Sequence, residues 1–287
     1  MKKFLVVMVI MFLISAPARA QLGWQQLGPD GARIMAMVGV PGYPDELFIA
    51  LGRFPTLILH TTDAGTTWTT ETIPDIITAL AVHPVNVRTI YAAGKTSRVY
   101  KSTNSGATWR VTATIPGNVW IQQLLINPET PSELWAGGEI YHPDSTIIAL
   151  YYSSDAGVTW QTKPVAAASS ALIRALTIKP DAPGTALLGG TMDNRARLFL
   201  TTNYGNSWQN ISTGIAGNCV YGCAVNPTQG NNLLGATDSG IYYSTDLGGS
   251  WTRRLNAPVY SVAFTPESPY YAYAGGENLV YRSTNQG

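Results

Sequence analysis

Apolar and polar positions alternate along most of this chain in short runs. That period of two marks strands with one buried face. The clearest column lies about twenty residues before each of a series of turn motifs, where a proline recurs: Pro41, Pro84, Pro128, Pro180, Pro227 and Pro266. Four residues before these prolines stand Met37, Leu80, Leu124, Leu176, Cys223 and Val262. Two residues before them stand Val82, Ile126, Ile178, Val225 and Phe264, with Gly39 the exception. A second strand follows, closed by small residues (IYAAG, LWAGG, LLGG, LLGA, YAYAGG). A third strand (RVYKST, LYYSSD, LFLTTN, IYYSTD, LVYRST) runs into the turn motif. A fourth starts at the tryptophan that ends the motif. Strand, turn, strand, turn at a period of 40 to 50 residues predicts one blade of a β-propeller per repeat.

The turn motif is Ser/Thr-x-Asp/Asn-x-Gly-x-Ser/Thr-Trp. It is complete at Thr61–Trp68, Ser102–Trp109, Ser153–Trp160, Thr201–Trp208 and Ser244–Trp251, and begins again at Ser283. The marker residues are Asp63, Asn104, Asp155, Asn203, Asp246 and Asn285, at intervals of 41, 51, 48, 43 and 39. Each position has a hairpin role. The Asp or Asn oxygen can accept backbone N–H groups two residues on, the Gly supplies a positive φ, and the Trp packs over apolar neighbours. One carboxylate per box is too few for a hard cation, so no metal site is expected.

This motif is the Asp box, or BNR repeat. The chain therefore resembles the Asp-box β-propeller superfamily, which includes sialidases, xyloglucan-active glycoside hydrolases, the sortilin ectodomain and the photosystem II assembly and stability factor. The resemblance implies an all-β propeller of about six four-stranded blades across residues 21–287. It is specific for fold and weak for activity.

The two ends raise further expectations. Residues 1–20 carry Lys2 and Lys3, an apolar run Phe4–Ile14, and small residues at Ala18 and Ala20, the pattern of a cleavable secretory signal. Eleven apolar residues are too few to span a bilayer. A secreted or periplasmic protein with no membrane span after cleavage is expected. The sixth box stops at Gly287, before its Trp, while Gln21–Leu27 contains Trp24-Gln25, like Trp160-Gln161 and Trp208-Gln209. The N-terminal strand is thus expected to close the last blade; a truncated chain is the alternative.

Composition then narrows the function. The charged fraction is 12% and the net charge +1, which leaves no basic stripe for nucleic acid. Cys219 and Cys223, four apart, are too far separated for a disulfide on a regular strand, and only a bulge or turn would permit one. No cofactor motif is present, and a monomer is expected. Propellers of this family bind ligands on the face carrying the loops between second and third strands. Two of those loops are enlarged, Glu139–Ser145 and Thr191–Arg197. They supply the candidate contacts Glu139, His142, Asp144, Asp193, Arg195 and Arg197, with Trp120 as a rim aromatic and Arg53, Lys95 and Arg98 in the corresponding loops of the first two blades. Arg195 and Arg197, at alternate positions, could grip a carboxylate, unless Asp193 neutralises one of them.

The expected role is an exported, non-catalytic binder of a protein, peptide or carbohydrate. The rival is a glycoside hydrolase or a fragment of one, with Glu139, Asp144 and Asp193 as the available carboxylates. Against a sialidase, Ala32-Arg33-Ile34-Met35 is a poor match to the family's Phe/Tyr-Arg-Ile-Pro motif.

Overall fold

The structure, a computed structural model, describes residues 33–179, 182, 184–265, 271–285 and 287. The signal segment, the Trp24 strand, and the turn prolines Pro180 and Pro266 lie outside the described residues. Among those described there is no helix.

Twenty-three strands form six antiparallel sheets in strict chain order. Blade one is β1 (Ile34–Val40), β2 (Tyr43–Leu51), β3 (Thr56–Thr61) and β4 (Thr69–Ile73). Blade two is β5 (Ile77–Val82), β6 (Ile90–Gly94), β7 (Arg98–Ser102) and β8 (Arg110–Thr114). Blade three is β9 (Val119–Ile126), β10 (Leu134–His142), β11 (Ser145–Ser153) and β12 (Gln161–Ala168). Blade four is β13 (Ala171–Ile178), β14 (Ala186–Met192), β15 (Arg195–Thr201) and β16 (Gln209–Asn210). Blade five is β17 (Val220–Val225), β18 (Leu233–Thr237), β19 (Gly240–Ser244) and β20 (Thr252–Leu255). Blade six has three described strands, β21 (Val259–Phe264), β22 (Ala272–Gly276) and β23 (Val280–Ser283).

The first strands are innermost and pack on one another in the order β1, β5, β9, β13, β17, β21. Among the described residues β21 and β1 make no comparable contact. That explains one departure from the sequence reading. Met37, expected in the buried column, is 67% exposed, because no blade covers that side of β1. Ile34 and, on β21, Tyr260 are exposed for the same reason.

The core lies between blades rather than within them. Phe48, Ile58, Leu80, Ile90 and Tyr100 join blades one and two, with Trp109 against them. Tyr91, Ile121, Leu134 and Tyr151 join two and three, with Trp160. Trp135, Leu150, Leu176, Leu188 and Phe199 join three and four, with Trp208. Leu187, Leu200, Ile211 and Leu233 join four and five, with Trp251. Each of these box Trp residues thus packs against the preceding blade. These four indoles are half-buried, so each contributes only part of the roughly 150–250 Å² that a whole aromatic side chain can bury.

The boxes form one repeated hairpin. In the first, Thr61 Oγ1 accepts the Gly65 amide (3.0 Å) and donates to Asp63 Oδ1 (2.8 Å). The same Oδ1 accepts the Thr67 amide at 2.8 Å, four residues on rather than two as the sequence suggested. Thr67 Oγ1 donates to the second oxygen, Oδ2, at 2.7 Å. Gly65 sits at φ +85° after Ala64 at +55°, so two residues are left-handed and the Gly relieves one of them. The Ala64 amide donates to Asp45 O near the start of β2 (2.9 Å), which ties the box to the strand that leaves the proline turn. Cys219 and Cys223 are both free thiols.

Candidate functional site

Every first strand carries a register break at the same place. Pairing with the second strand skips one residue between Ile34 and Ala36, Ile77 and Ala79, Ile173 and Ala175, Val220 and Gly222, and Val259 and Ser261. In blade three the skip falls between Ile121 and Gln123. The bulged residues are Met35, Thr78, Gln122, Arg174, Tyr221 and Tyr260, each two positions before the apolar column. A bulge leaves its extra residue unpaired and re-aims it, and such bulges gather near binding sites.

In blades two, three and four a glycine stands opposite the residue before the bulge, where blades one and five have Leu51 and Thr237. A Cβ on Gly94 would lie 1.8 Å from Ile76 O, one on Gly138 2.5 Å from Trp120 O, and one on Gly190 2.0 Å from Leu172 O. In these three blades the glycine admits the carbonyl entering the bulge.

Bulged residues of neighbouring blades meet around the axis. Met35, Thr78 and Gln122 line one cavity of about 230 Å³. Tyr221 and Tyr260 are in edge contact, with centroids 5.1 Å apart. Between these groups stands Arg174, exposed, its charge reaching Tyr141 and Tyr221. Among the described residues its guanidinium makes no ion pair or hydrogen bond.

Glu139 lies beside this group, yet not in a loop. The expected loop Glu139–Ser145 is instead the tip of a long hairpin, with β10 running to His142 and β11 starting at Ser145. Paired Ile140 and Ile147 extend the ladder. Glu139 is wholly buried. Its Oε1 accepts the Ile173 amide of blade four at 2.6 Å, and its Oε2 accepts Gln122 Nε2 at 3.1 Å. Burial is the main cause that pushes its carboxyl up to about 7, with the two hydrogen bonds opposing. In blade two the matching amide, Ile77, is held by a neutral hydroxyl, Thr56 Oγ1, at 3.0 Å. Glu139 is thus a charged version of an inter-blade tie, set directly against two bulges.

Trp120 lies opposite Glu139 in the ladder. Its ring meets Tyr141 at 4.7 Å, and Lys95 Nζ of blade two sits 4.3 Å over it, a cation–π contact. The sequence candidates Trp120, Glu139 and Lys95 therefore come together around the bulges. His142 and Asp144 lie at the exposed hairpin tip.

Asp193 and Asn194 form the turn of the blade-four hairpin, at φ +48° and +58°. Asp193 Oδ1 accepts Ser169 Oγ (2.6 Å) and the Ser170 amide (3.1 Å), which lowers its carboxyl. It ties the hairpin to the preceding crossover, and among the described residues it pairs with neither Arg195 nor Arg197. Arg195 is exposed; Arg197 is half-buried and donates to Ala196 O at 3.1 Å.

The bulged residues were missed in the sequence because an extra residue looks like a lapse in alternation. The doubled polar pair in Trp120-Ile121-Gln122-Gln123-Leu124 was the available signal.

Comparison with known proteins agrees with this architecture. The family model described as sortilin, neurotensin receptor 3, matches residues 56–181. A xyloglucanase of Paenibacillus sp is 25% identical over 178 residues, 50% of this chain and 17% of the enzyme. The structures of the GH74 enzyme of Niastella koreensis and the GH74 xyloglucanase of Xanthomonas campestris each align with TM-score 0.71 and 18% identity, over 88% of this chain and 45% of theirs. The chain thus spans less than half the length of these enzymes. YCF48 bound to D1 peptide aligns with TM-score 0.60 and 16% identity, over 89% of this chain and 79% of that one. With a box at the third-to-fourth strand turn of every blade and these likenesses on both sides, the chain is an Asp-box, or BNR-type, β-propeller.

Proposed function

We propose that this is an exported, non-catalytic propeller that binds a protein, peptide or glycan where the first strands bulge, with blades three and four contributing most. The observation that carries the reading is Arg174: an exposed cation on a bulge whose guanidinium makes no hydrogen bond or ion pair among the described residues, with Glu139, Tyr141 and Tyr221 within reach of its charge. Aromatic surface around an unpaired guanidinium suits a ligand that presents a carboxylate beside an apolar or sugar face. Trp120 with Lys95 extends this surface to blade two, and Arg195 with Arg197 extends it on blade four. YCF48, similar in fold, is a peptide-bound propeller, which supports a binding role. The charged start, apolar run and small residues of residues 1–20 support export, and the low charge speaks against nucleic acid as partner.

The carboxylates fit hydrolysis less well. Both oxygens of Glu139 are occupied by protein donors and Asp193 is committed to a turn, which leaves Asp144 alone at a hairpin tip. The likeness to xyloglucanases keeps a second reading in play, a glycan-hydrolysing unit that works only with further chain. The test is binding of Arg174→Ala, of Arg195→Ala with Arg197→Ala, and of Asp63→Ala to arrays of acidic peptides and xyloglucan oligosaccharides. The arginine variants should lose at least tenfold in affinity with unchanged melting, and Asp63→Ala should melt earlier with affinity retained. Unchanged binding by Arg174→Ala would move the site elsewhere; release of reducing ends from xyloglucan would support the hydrolase.

A further inference from the structure

The outer corner between one blade and the next is built from the same positions each time. The second and third strands pair Phe48 with His60, Tyr91 with Lys101, Trp135 with Tyr152, and Leu187 with Leu200. The following blade adds the residue after its box Asp or Asn: Ser105, Ala156, Tyr204 and Leu247 in turn. The fourth strand adds the residue three places after the box Trp: Glu71, Thr112, Lys163 and Ile211. Three of these corners are occupied by the chain itself. In the second, Lys101 Nζ sits 4.9 Å over the Tyr91 ring, whose hydroxyl donates to Ala156 O at 2.9 Å. In the third, Tyr204 stacks on Trp135 at 5.9 Å, and Lys163 Nζ donates to Asn206 Oδ1 at 2.6 Å. In the fourth, Leu187, Leu200, Ile211 and Leu247 close an apolar cluster.

The first corner, between blades one and two, has neither a cation nor a filling side chain. Ser105 is small, and a cavity of about 330 Å³ remains, lined by Phe48, Ile58, His60, Glu71 and Ser105 among others. A Cβ on Gly106 would lie 2.9 Å from Phe48, so the box of blade two rests directly on that ring. The His60 imidazole is stacked on Phe48, with centroids 4.1 Å apart and planes 3° from parallel. Its Nε2 lies 2.8 Å from Glu46 Oε1. An ionised carboxylate only accepts, so Nε2 donates, and Nδ1 of the neutral ring is left as an acceptor. Glu71 makes no hydrogen bond or ion pair among the described residues. Where blade three places Lys163, blade one thus places an unpaired carboxylate.

We propose that this corner is a second binding site, which takes a guanidinium group as the arginine side chain of a peptide partner. The second and third corners show that a cation fits here, and in the first the chain supplies acceptors without one. A guanidinium is planar, so it can stack on the imidazole while giving two N–H groups to the Glu71 carboxylate. The volume lies at the low end of the roughly 300–1,000 Å³ of ligand pockets, room for one side chain. The boxes follow the third strands, at the opposite strand ends from the bulges. This site is therefore separate from Arg174, and the two stand or fall independently.

The experiment titrates the full chain with acetyl-Gly-Arg-Gly-amide and reads the ring-proton signals of His60 by NMR. The same peptide with citrulline in place of arginine keeps the shape and loses the charge. The arginine peptide should shift the His60 signals along a saturating curve, and the citrulline peptide should bind at least roughly tenfold more weakly. Glu71→Gln should lower the affinity for the arginine peptide by a similar factor with unchanged Tm. Ser105→Tyr copies Tyr204 at a matching left-handed backbone position, φ +55° against +59°, and should fill the corner and abolish binding. If that variant fails to fold, Glu71→Gln, at an exposed position, still decides. Equal binding of the two peptides, unchanged affinity in Glu71→Gln, or His60 signals that do not move would each overturn the proposal.

Discussion

Glu139→Gln separates the energetic cost of the buried carboxyl from its role as a tie. An amide at this position keeps the shape and can still accept the Ile173 amide, while Gln122 can turn its own oxygen toward the new NH₂. The charge is the only term removed. Holding a carboxyl at about 7 rather than the ordinary 4.5 corresponds to about 3 kcal/mol, at about 1.4 kcal/mol per tenfold. The sign follows from proton counts. Below about 4.5 the group is protonated in both folded and unfolded chains, so it carries no penalty. Between 4.5 and about 7 the unfolded chain gives up its proton first, so stability falls as pH rises. Above about 7 the full penalty is present. Urea unfolding at pH 5 and pH 8 reads this directly: the Gln variant should gain on the parent protein by about 2–3 kcal/mol more at pH 8 than at pH 5. A stability difference that does not change between these two pH values would refute the assignment of Glu139 as a desolvated, titrating tie.

The remaining predictions concern other parts of the fold. Asp63, Asp155 and Asp246 are held at about 2 by hydrogen bonds within their boxes, led by Thr67, Thr159 and Ser250 respectively. Their contribution is complete above about pH 4 and should be lost as pH falls from there toward 2, a slope opposite to that of Glu139; acid titration followed by near-UV circular dichroism would show it. Gly190→Ala sets a Cβ against Leu172 O and should cost at least about 1–3 kcal/mol by chemical denaturation, because the obstacle is backbone. Trp135→Ala empties the blade three–four interface, where its ring contacts Tyr152 and Tyr204, and should cost about 3–5 kcal/mol in the same assay.

The boxes were legible in the sequence because each uses several residues in a fixed local order, and local hydrogen bonds enforce it. Blade number and strand order followed from their spacing. The site was legible only in part. Trp120 stands outside the box frame and Lys95 in a second-to-third-strand loop, but their meeting depends on contact between blades two and three, which no local pattern encodes. Glu139 was read as a loop residue because a Glu next to Tyr and His looks solvent-exposed; only the neighbouring blade's amide explains a carboxyl in that position. Arg174 escaped notice because it interrupts alternation inside an otherwise apolar strand, Ile173 to Ala175. Met37 departs from its column because the column packs on the preceding blade, and among the described residues none precedes blade one.

The bulge gives each blade one side chain outside the regular alternation. The bulged residue ranges from Met35 to Arg174 and Tyr260 within one chain, although Thr78 bonds Ile121 O of blade three and Gln122 bonds Glu139, so those two also serve the interfaces. The exposed ones, Arg174 and Tyr260 among them, work like dials around a common axis. Within the proposed site, changing one of these alters what the centre of the disc recognises while the interfaces between blades stay as they were. A scaffold with this property can move from one ligand to another by single substitutions, without passing through an unstable intermediate. Under the proposed site, substitution at the exposed bulges is therefore the most economical route to redirecting what this propeller binds.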